Sequence, residues 1–522
     1  TPSDRSCQPG GVAAVTTLAT YEVHVDWLGG TGFTAAYDDI TGKVKHMEWK
    51  RGRQFAHQIA GKALAGQAFI YLNNDGGTFS TQNSTSTLAG SLLPGRVVRI
   101  RTTAPSTTEL WRGAIESIEN QVNINNAHVA ILKCIGPLGF INQRNARIPM
   151  GIDILTGSAI GSILDDTGWP SGDRSIDAGQ TTMTRFWVEN KPALDAMRDV
   201  EATESGYLGE SKDAKIVFED RDHRLAGTHI ASQATYTDDP AGTIFFANIE
   251  QQDPLKAIFN DMEATVHRYS TLATTTLWKL INTGADAIIR GGGGTFAVEA
   301  SYPIGNPTAT LGAVAVASWT LPTSTVDWNV TNDADGTGAN LNSAISTSFS
   351  TFAQSMKMLF TNTGAADGYF QSAQARGVPL IEDNRAKVRT EDTPSQDDYG
   401  RRSFTSPGNW TPNVGEARDW GAFNISIYKS PFQIFSVTLN ANYSSAHMTE
   451  VLARDVSDLI TINATGRSDL GMTNLFFVEQ EHHRVSEDRV HWVTYDVSAA
   501  TGYGGFWVLN TGELGTRTRP GY

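Results

Sequence analysis

Two neighbouring histidines with acidic residues close by are the part of this sequence that most resembles a metal site. His482 and His483 follow Glu479 and Glu481, and imidazole and carboxylate groups are common metal ligands. The surrounding residues predict a strand, on which neighbouring side chains point to opposite sides. Only one of the two histidines could then reach a given ion. A solvated or interface histidine is the simpler interpretation, and we predict no metal site.

Acidic pairs at 165–166 and 397–398 are the next candidates, because paired carboxylates hydrolyse glycosides. Their separation cannot be read from the sequence, and acidic residues are common in turns. The segment 332–336 resembles part of a calcium loop. The EF-hand register would place Thr331 and Asn342 where the site needs carboxylates. We therefore interpret 332–336 as a turn and expect no catalytic residue.

The glycine run at 291–294 is the strongest glycine signal in the chain. A phosphate-binding loop needs a preceding strand, fixed spacing and a following helix. Here Thr295–Val298 follows, which is typical of a strand. The sequence also lacks a Gly-x-Ser-x-Gly elbow, a His-Glu-x-x-His motif and a dinucleotide fingerprint. We expect a loop at this run, no cofactor, and a protein that is not an enzyme.

Twelve tryptophans keep a binding function open. Carbohydrate-binding proteins stack sugars on exposed indole rings, whereas tryptophans within apolar runs are core or interface anchors. Most tryptophans here lie in apolar runs, as Trp49, Trp111 and Trp507 do. A receptor- or glycan-binding protein is therefore the alternative function.

The composition favours strands and turns. Only 18% of the 522 residues are charged, and 50 are glycine; long surface helices need more Lys and Glu. The net charge of −14 disfavours nucleic-acid binding by the whole surface, because phosphate attracts basic surfaces. No apolar run approaches the roughly 20 residues of a membrane span, so we expect no stable membrane insertion. The length predicts three to four domains.

Short strands separated by turns occupy the first part of the chain. Apolar and polar residues alternate in segments that we predict to be strands of a small antiparallel barrel, at 21–27, 44–49, 68–72, 96–101, 110–119 and 128–135. The preceding segment 1–19 has no periodicity and predicts a flexible arm.

The composition changes near residue 150. Helices are predicted at 158–166 and after Pro192, and a strand at 213–220, which together indicate a small α+β insertion. Short helices are expected at 253–261 and 343–358. From Lys357 onward the pattern is again β-rich. Two β-rich ends around a mixed middle suggest two related barrels.

Three stretches together resemble a known family. The first runs from Asp38-Asp39-Ile40-Thr41 through Arg51-Gly52-Arg53 and Pro94-Gly95-Arg96 to Trp111-Arg112-Gly113. The second runs from 163–170 to 217–221, and the third comprises 476–479, His491 and 507–509. In order and spacing they resemble the baseplate hub or tail tip proteins of long-tailed, siphovirus-type phages. These proteins are in turn similar to the hub proteins of contractile tails.

This resemblance implies a β-rich α+β fold with two tail-tube-like β-barrels and inserted small α+β domains. The arm would span 1–19. The first barrel would span 20–148, with a returning segment at 222–250. An α+β insertion would span 149–221 and a mixed second insertion 251–356. The second barrel and C-terminal segment would span 357–522.

The function implied is structural. A homotrimer would carry six barrels, which suit the six subunits of a tail tube. The ring would join the distal tail and tube proteins to a separate tip or fibre protein, contact the tape-measure protein, and gate the channel. DNA would pass through the lumen without sequence readout. The resemblance places the protein at the tail tip of the virion after synthesis in the host cytoplasm. The alternative, a receptor- or glycan-binding minor tail protein, stays open.

Overall fold

The structure is a computed structural model. It describes residues 19–53, 62–122, 128–252, 255–281, 287–302, 313–408, 410–411, 413–431, 434–468, 470–500, 506–507 and 519–520. The arm predicted at 1–19 therefore lies outside the described residues, except for Ala19, which is buried.

The first six strands form one contiguous module, here called the first unit. Its strands are β1 (Thr20–Val25), β2 (Val44–Arg53), β3 (Ala63–Asn73), β4 (Val97–Ala104), β5 (Thr108–Val122) and β6 (His128–Ile135). They lie in the order β1-β4-β5-β6-β3-β2, each antiparallel to its neighbour. Alternation of apolar and polar residues explains why these segments form strands. In β4, for example, Val98 and Ile100 are buried while Arg99 and Arg101 are partly exposed. The six strands predicted from the sequence are all present.

The first insertion follows and has its own core. Its elements are α1 (Pro137–Ile141), β7 (Asn145–Leu155), α2 (Thr156–Asp166), β8 (Arg174–Ile176), β9 (Thr182–Pro192), α3 (Ala193–Glu204), β10 (Tyr207–Glu210) and β11 (Ile216–Glu219). Apolar residues of α2 and α3 at helical spacing, among them Ile160, Ile163, Met197 and Val200, pack against β9. Both helices agree with the sequence prediction.

Two short strands, β12 (Ala234–Thr237) and β13 (Asn248–Gln252), precede the second insertion. That insertion contains β14 (Asp261–Val266), β15 (Tyr269–Thr271), β16 (Thr275–Ile281), β17 (Ile288–Ile289), β18 (Thr295–Ser301), β19 (Ala313–Thr320), β20 (Trp328–Thr331), β21 (Ile345–Thr351), β22 (Ser355–Asn362), β23 (Gly368–Glu382), β24 (Ala386–Glu391), α4 (Thr393–Tyr399), β25 (Ser403–Thr405) and α5 (Val414–Tyr428). Strand β23 is its centre and pairs with β15, β16, β17, β19 and β20.

The boundary predicted at 356–357 differs from the observed strand pairing. Strand β22 pairs with β18 and β21, and β23 pairs only with strands of the second insertion. The chain beyond 357 therefore continues this insertion before it returns. The helix predicted at 343–358 is also wrong, because its Ser and Thr residues alternate in burial as β21 and enter β22.

The last elements complete a module here called the second unit. The chain adds β26 (Ile434–Asn440), α6 (Ser445–Ala453), β27 (Leu459–Ala464), β28 (Met472–Val485), β29 (His491–Ala499), β30 (Phe506–Trp507) and β31 (Arg519–Pro520). Strands β26–β29 pair with β12 and β13 in the order β12-β27-β28-β29-β26-β13. The segment 222–250, expected to return to the first barrel, thus joins the second unit, since β12 pairs with β27 and β13 with β26.

Both units have the same strand order. When the strands of each unit are numbered by their order along the chain, each sheet reads 1-4-5-6-3-2. The pairs differ only at 1–4, which is antiparallel between β1 and β4 and parallel between β12 and β27. Between strands 3 and 4, the first unit places Phe79 and Leu88 in the core, and the second places Met448 and Val451 of α6 there.

Strand β2 pairs with β28, so the two units form one twelve-stranded sheet. One hydrophobic core spans both and includes Trp27, Trp111, Phe435 and Tyr495. The observed architecture is the expected β-rich α+β class, with two modules that are fused along one strand pair.

Candidate functional site: the junction and the polar face of the sheet

The two units meet where β2 lies antiparallel to β28, and we call this strand pair and its side chains the junction. Its register places Arg51 opposite Glu481 and Gly52 opposite Gln480. Gly52 has a backbone φ of +110°, a conformation that favours glycine. A Cβ atom at this position would lie 2.2 Å from the carbonyl oxygen of Glu479. The close pairing of the units therefore requires glycine here.

Arg51 and Glu481 form a buried ion pair across the junction. Arg51 Nε and Nη2 lie 3.1 and 2.8 Å from Glu481 Oε1, and Nη2 lies 2.5 Å from Asp455 Oδ1. Arg51 Nη1 donates to the carbonyl oxygen of Glu210 at 2.6 Å, which ties the first insertion to the same contact. Burial alone would raise the pKa of Glu481, but the Arg51 charge holds it below its usual range. The pair is therefore ionised at neutral pH.

A second buried ion pair lies beside the first. Arg224 Nη1 and Nη2 lie 2.6 and 3.0 Å from the two carboxylate oxygens of Glu479, and Arg53 Nε lies 3.6 Å away. Ser498 donates to the same carboxylate at 2.7 Å. Although burial would raise it, the Arg224 and Arg53 charges lower the pKa of Glu479 to about 2. This contact anchors the segment that leads into β12.

Hydrogen bonds continue the junction into the shared core. His483 Nδ1 lies 2.9 Å from His491 Nε2, and His491 Nδ1 lies 2.8 Å from the Tyr21 hydroxyl. The Trp49 ring stacks on His483 with centroids 4.8 Å apart. Burial lowers the pKa of both histidines, so both imidazoles are neutral at pH 7. This chain fastens β1 and β2 to β28 and β29.

The side of the sheet opposite the core carries polar residues across both units, and we call it the polar face. Cross-strand partners of an antiparallel sheet share a face, so the strand registers define rows of partly or fully exposed side chains. One row is Asn248, Thr438, Thr494, His482, Lys50 and Gln67. The next row is Asn440, Trp492, Arg484, Glu48, Phe69 and Lys133.

Contacts on the polar face are short-range and weak. The hydroxyl groups of Thr438 and Thr494 lie 3.0 Å apart, and His482 Nε2 lies 3.9 Å from Glu48 Oε2. Hydroxyl, amide and charged groups that are exposed to water form hydrogen bonds and ion pairs with many partners, but each of these contacts is weak. Within the part of the chain that the structure describes, no group of three or more His, Cys, Asp or Glu residues is placed to hold a metal ion.

The structure separates the two candidate histidines. His482 is exposed on the polar face and His483 is fully buried at the junction, as the alternation of a strand predicts. The solvated interpretation is correct for His482. His483 instead lies at the interface between the two units, where the Trp49 ring covers its imidazole.

The other candidates are not brought together. Asp165 forms an ion pair with Arg174 at 2.8 Å, whereas 397–398 lies in α4. The segments 291–294 and 332–336 form turns, as predicted. Trp492 is exposed, with an exposed fraction of 39%.

Sequence reasoning missed the buried ion pairs of the junction. Their signal is the spacing of Arg51 and Arg53 and of Glu479 and Glu481, each two residues apart. Such spacing places both charges of a strand on one face. Charges at the inward positions of a predicted strand indicate an ionic contact within the core.

Three comparisons relate the chain to known proteins. No protein-family model matches it, and no curated protein matches it. Solved structures of similar fold include the tail protein from Neisseria meningitidis MC58, with 7% identity, a TM-score of 0.48, and 92% of this chain and 96% of that chain covered. The 43 kDa tail protein of prophage MuSo2 from Shewanella oneidensis has 8% identity, a TM-score of 0.48, and coverages of 92% and 99%.

A third similar structure is the prophage tail protein gp18 from Listeria monocytogenes EGD-e. It has 8% identity, a TM-score of 0.40, and coverages of 91% and 94%. All three are described as tail proteins. Within the described residues, the helices are all too short or too polar to cross a membrane.

Proposed function

We propose that this chain is the structural hub of a phage tail tip, and that three copies form a ring between a hexameric tail tube and the distal tip. The supporting observation is the pair of units with the same 1-4-5-6-3-2 strand order in one chain. Three such chains present six similar modules. A ring of six modules can match the six subunits of a tube, because symmetric contacts need repeated complementary surfaces.

The junction suits this role because it fixes the angle between the two units. A shared strand pair, the buried Arg51–Glu481 and Arg53–Glu479 ion pairs and one core join the units directly. Modules joined by a flexible linker would move relative to each other. A hub under a tube needs all six modules in register, and a fused sheet supplies that rigidity.

The polar face suits a channel lining. It combines hydroxyl, amide and balanced charged groups such as Thr494, Gln67 and the Lys133–Glu119 pair. Such a surface lets DNA pass without sequence readout and without the strong attraction of a basic wall. In this proposal the hub contacts the tape-measure protein and gates the channel, while a separate tip or fibre protein engages the host. The protein would be made in the host cytoplasm and reside at the tail tip of the virion.

The mass of the purified full chain tests the ring. We expect native mass spectrometry to show a species of three times the 56.4 kDa chain mass, and electron microscopy to show a ring of six modules. Binding to assembled tail tubes, with bovine serum albumin as control, should be saturable. A chain that stays monomeric at all concentrations and is absent from purified virions would overturn the proposal.

The exposed Trp492 favours a second candidate function, that of a receptor- or glycan-binding minor tail protein. A glycan array probed with the full chain and with Trp492→Ala tests it, with the buried Trp328→Phe variant as control. Glycan binding lost only in Trp492→Ala would favour this function. We propose no enzymatic activity, and a clearing zone in a peptidoglycan zymogram would contradict that.

A further inference from the structure

Unpaired positive charge lies at the end of the polar face that the first unit forms. The row His24, Arg99 and Arg112 crosses β1, β4 and β5. No carboxylate among the described residues lies within ion-pair distance, 4.0 Å, of Arg99 or Arg112. By contrast, Arg101 in the next row lies 2.7 Å from Glu22. Like charges directly opposite each other destabilise a sheet, so the Arg99–Arg112 pair is unfavourable in an isolated chain.

An aromatic ring holds these two guanidinium groups in place. The Arg99 and Arg112 guanidinium carbons lie 4.4 and 5.9 Å from the centroid of Phe33. Phe33 has a φ of +64°, a strained conformation for a bulky residue. Its loop is held by Asp26, which accepts backbone N–H groups including that of Gly30 at 2.7 Å. The two positive groups are therefore positioned in advance, which lowers the entropy cost of binding a carboxylate.

Unpaired negative charge lies at the opposite end, in the second unit. The row Glu250, Ser436 and Asp496 crosses β13, β26 and β29 and contains no Lys or Arg. Burial raises the pKa of Asp496 and the Glu250 charge adds to the rise, while the Ser436 hydroxyl and His482 oppose it. The row of Arg99 and Arg112 thus contains no carboxylate, although Glu22 and Glu109 lie in the neighbouring row, and the row of Glu250 and Asp496 contains no Lys or Arg.

The backbone edge at the first end is already occupied. Val25 N donates to Asp38 O at 2.9 Å, and Ile40 N donates to Val23 O at 3.0 Å. A neighbouring strand therefore cannot extend the sheet fully along β1. Side chains remain as the means of contact there. Adjacent strands are about 4.8 Å apart, so Arg99, one strand in from the edge, can reach a carboxylate placed beside β1.

We infer that neighbouring copies of this chain meet head to tail, with Arg99 of one copy against Glu250 of the next, while Arg112 and Asp496 add to the charge of the two ends. This inference rests on the proposed ring and names its interface. The contact is heterologous, so each copy uses both ends, and three copies close the ring when the rotation between neighbours is one third of a turn. Bidentate arginine–carboxylate pairs give such a contact its orientation.

Charge reversal tests the interface in the full chain. We expect R99E/R112E and E250R each to lower self-association at least tenfold in mass photometry, and R99E/R112E/E250R to restore much of it. Arg101→Gln, whose arginine already pairs with Glu22, is the matched control and should associate like the wild type. Circular dichroism melts check that each variant is folded. Raising the salt concentration should weaken the wild-type contact.

A mixture of the two reversed proteins sharpens the test. In R99E/R112E both ends carry acidic residues, and in E250R both ends carry arginine, so unlike copies attract at either end and the mixture should form hetero-oligomers. Strict alternation cannot close a ring of three, so the wild-type trimer should not reappear. A wild-type trimer that R99E/R112E leaves intact overturns this interface and leaves the ring standing. A wild-type chain that never associates overturns the ring itself.

Discussion

The two faces of the β2–β28 pair carry similar residue types with opposite consequences. On the inner face, Arg51 and Glu481 lie 2.8 Å apart with exposed fractions of 3% and 0%. On the polar face, Glu48 and His482 lie 3.9 Å apart with exposed fractions of 29% and 50%. Water screens the outer contact to about 0–1 kcal/mol, whereas breaking a buried pair costs about 3–5 kcal/mol. Burial, and not residue type, decides which charges hold the units together.

The largest effect is expected from the inner face. Glu481→Gln should lower the free energy of unfolding by about 3 kcal/mol or more, because Arg51 stays buried with less compensating charge. Urea denaturation followed by tryptophan fluorescence measures it. The double variant Arg51→Met with Glu481→Leu is the control and should lose less stability than Glu481→Gln. Equal loss in both would show that packing rather than charge explains the effect.

The close approach of the strands predicts the next effect. Gly52→Ala should cost about 2 kcal/mol or more, because a Cβ there meets Glu479 O at 2.2 Å and φ is +110°. Gly76→Ala is the matched control, since its φ is +90° and nothing lies within 4 Å of its Cβ position. Denaturation midpoints compare the two. Similar costs would mean that backbone strain alone, and not the junction, is responsible.

The buried histidines predict a pH dependence. The folded pKa values of His483 and His491 are lowered by burial, so the unfolded chain binds protons that the folded chain does not. Their contribution is therefore fully present above pH 6.5 and declines as pH falls toward the folded pKa values, by up to about 1.4 kcal/mol per pH unit for each histidine.

Melting temperatures between pH 5 and 8 test this dependence. His491→Leu should flatten the slope by about one proton, even if it lowers stability overall. His482→Asn, on the polar face, should leave most of the slope unchanged. A slope that His491→Leu does not alter would contradict the buried, neutral imidazole.

The smallest effect is expected on the polar face. Glu48→Gln should change the free energy of unfolding by less than about 0.5 kcal/mol, because its contact with His482 is exposed. The same urea titration measures it against the wild type. A loss as large as that of Glu481→Gln would remove the contrast between the two faces.

Strands of the first unit were predictable because each carries its own alternation. In β3, for instance, Ala68, Ile70 and Leu72 are buried, and the sequence shows their spacing of two directly. The prediction of a helix at 343–358 was wrong because the small polar residues of this segment are compatible with both the helical and the strand periodicity. The junction ion pairs were not predicted, since Arg51 and Glu481 are 430 residues apart.

Residue patterns along the chain specify the β-rich class, the strands of the first unit and helices α2 and α3 of the first insertion. Which strands pair is settled in the folded chain, where β12 and β13 join the second unit and β2 pairs with β28. Strand pairing is not predictable in this way because alternation shows which side of a strand is buried, but not which strand lies beside it. The entropy cost of closing a loop grows only slowly with loop length. Pairing with a near strand or with a distant one therefore costs similar entropy, and side-chain packing and buried charge determine which pairing is most stable.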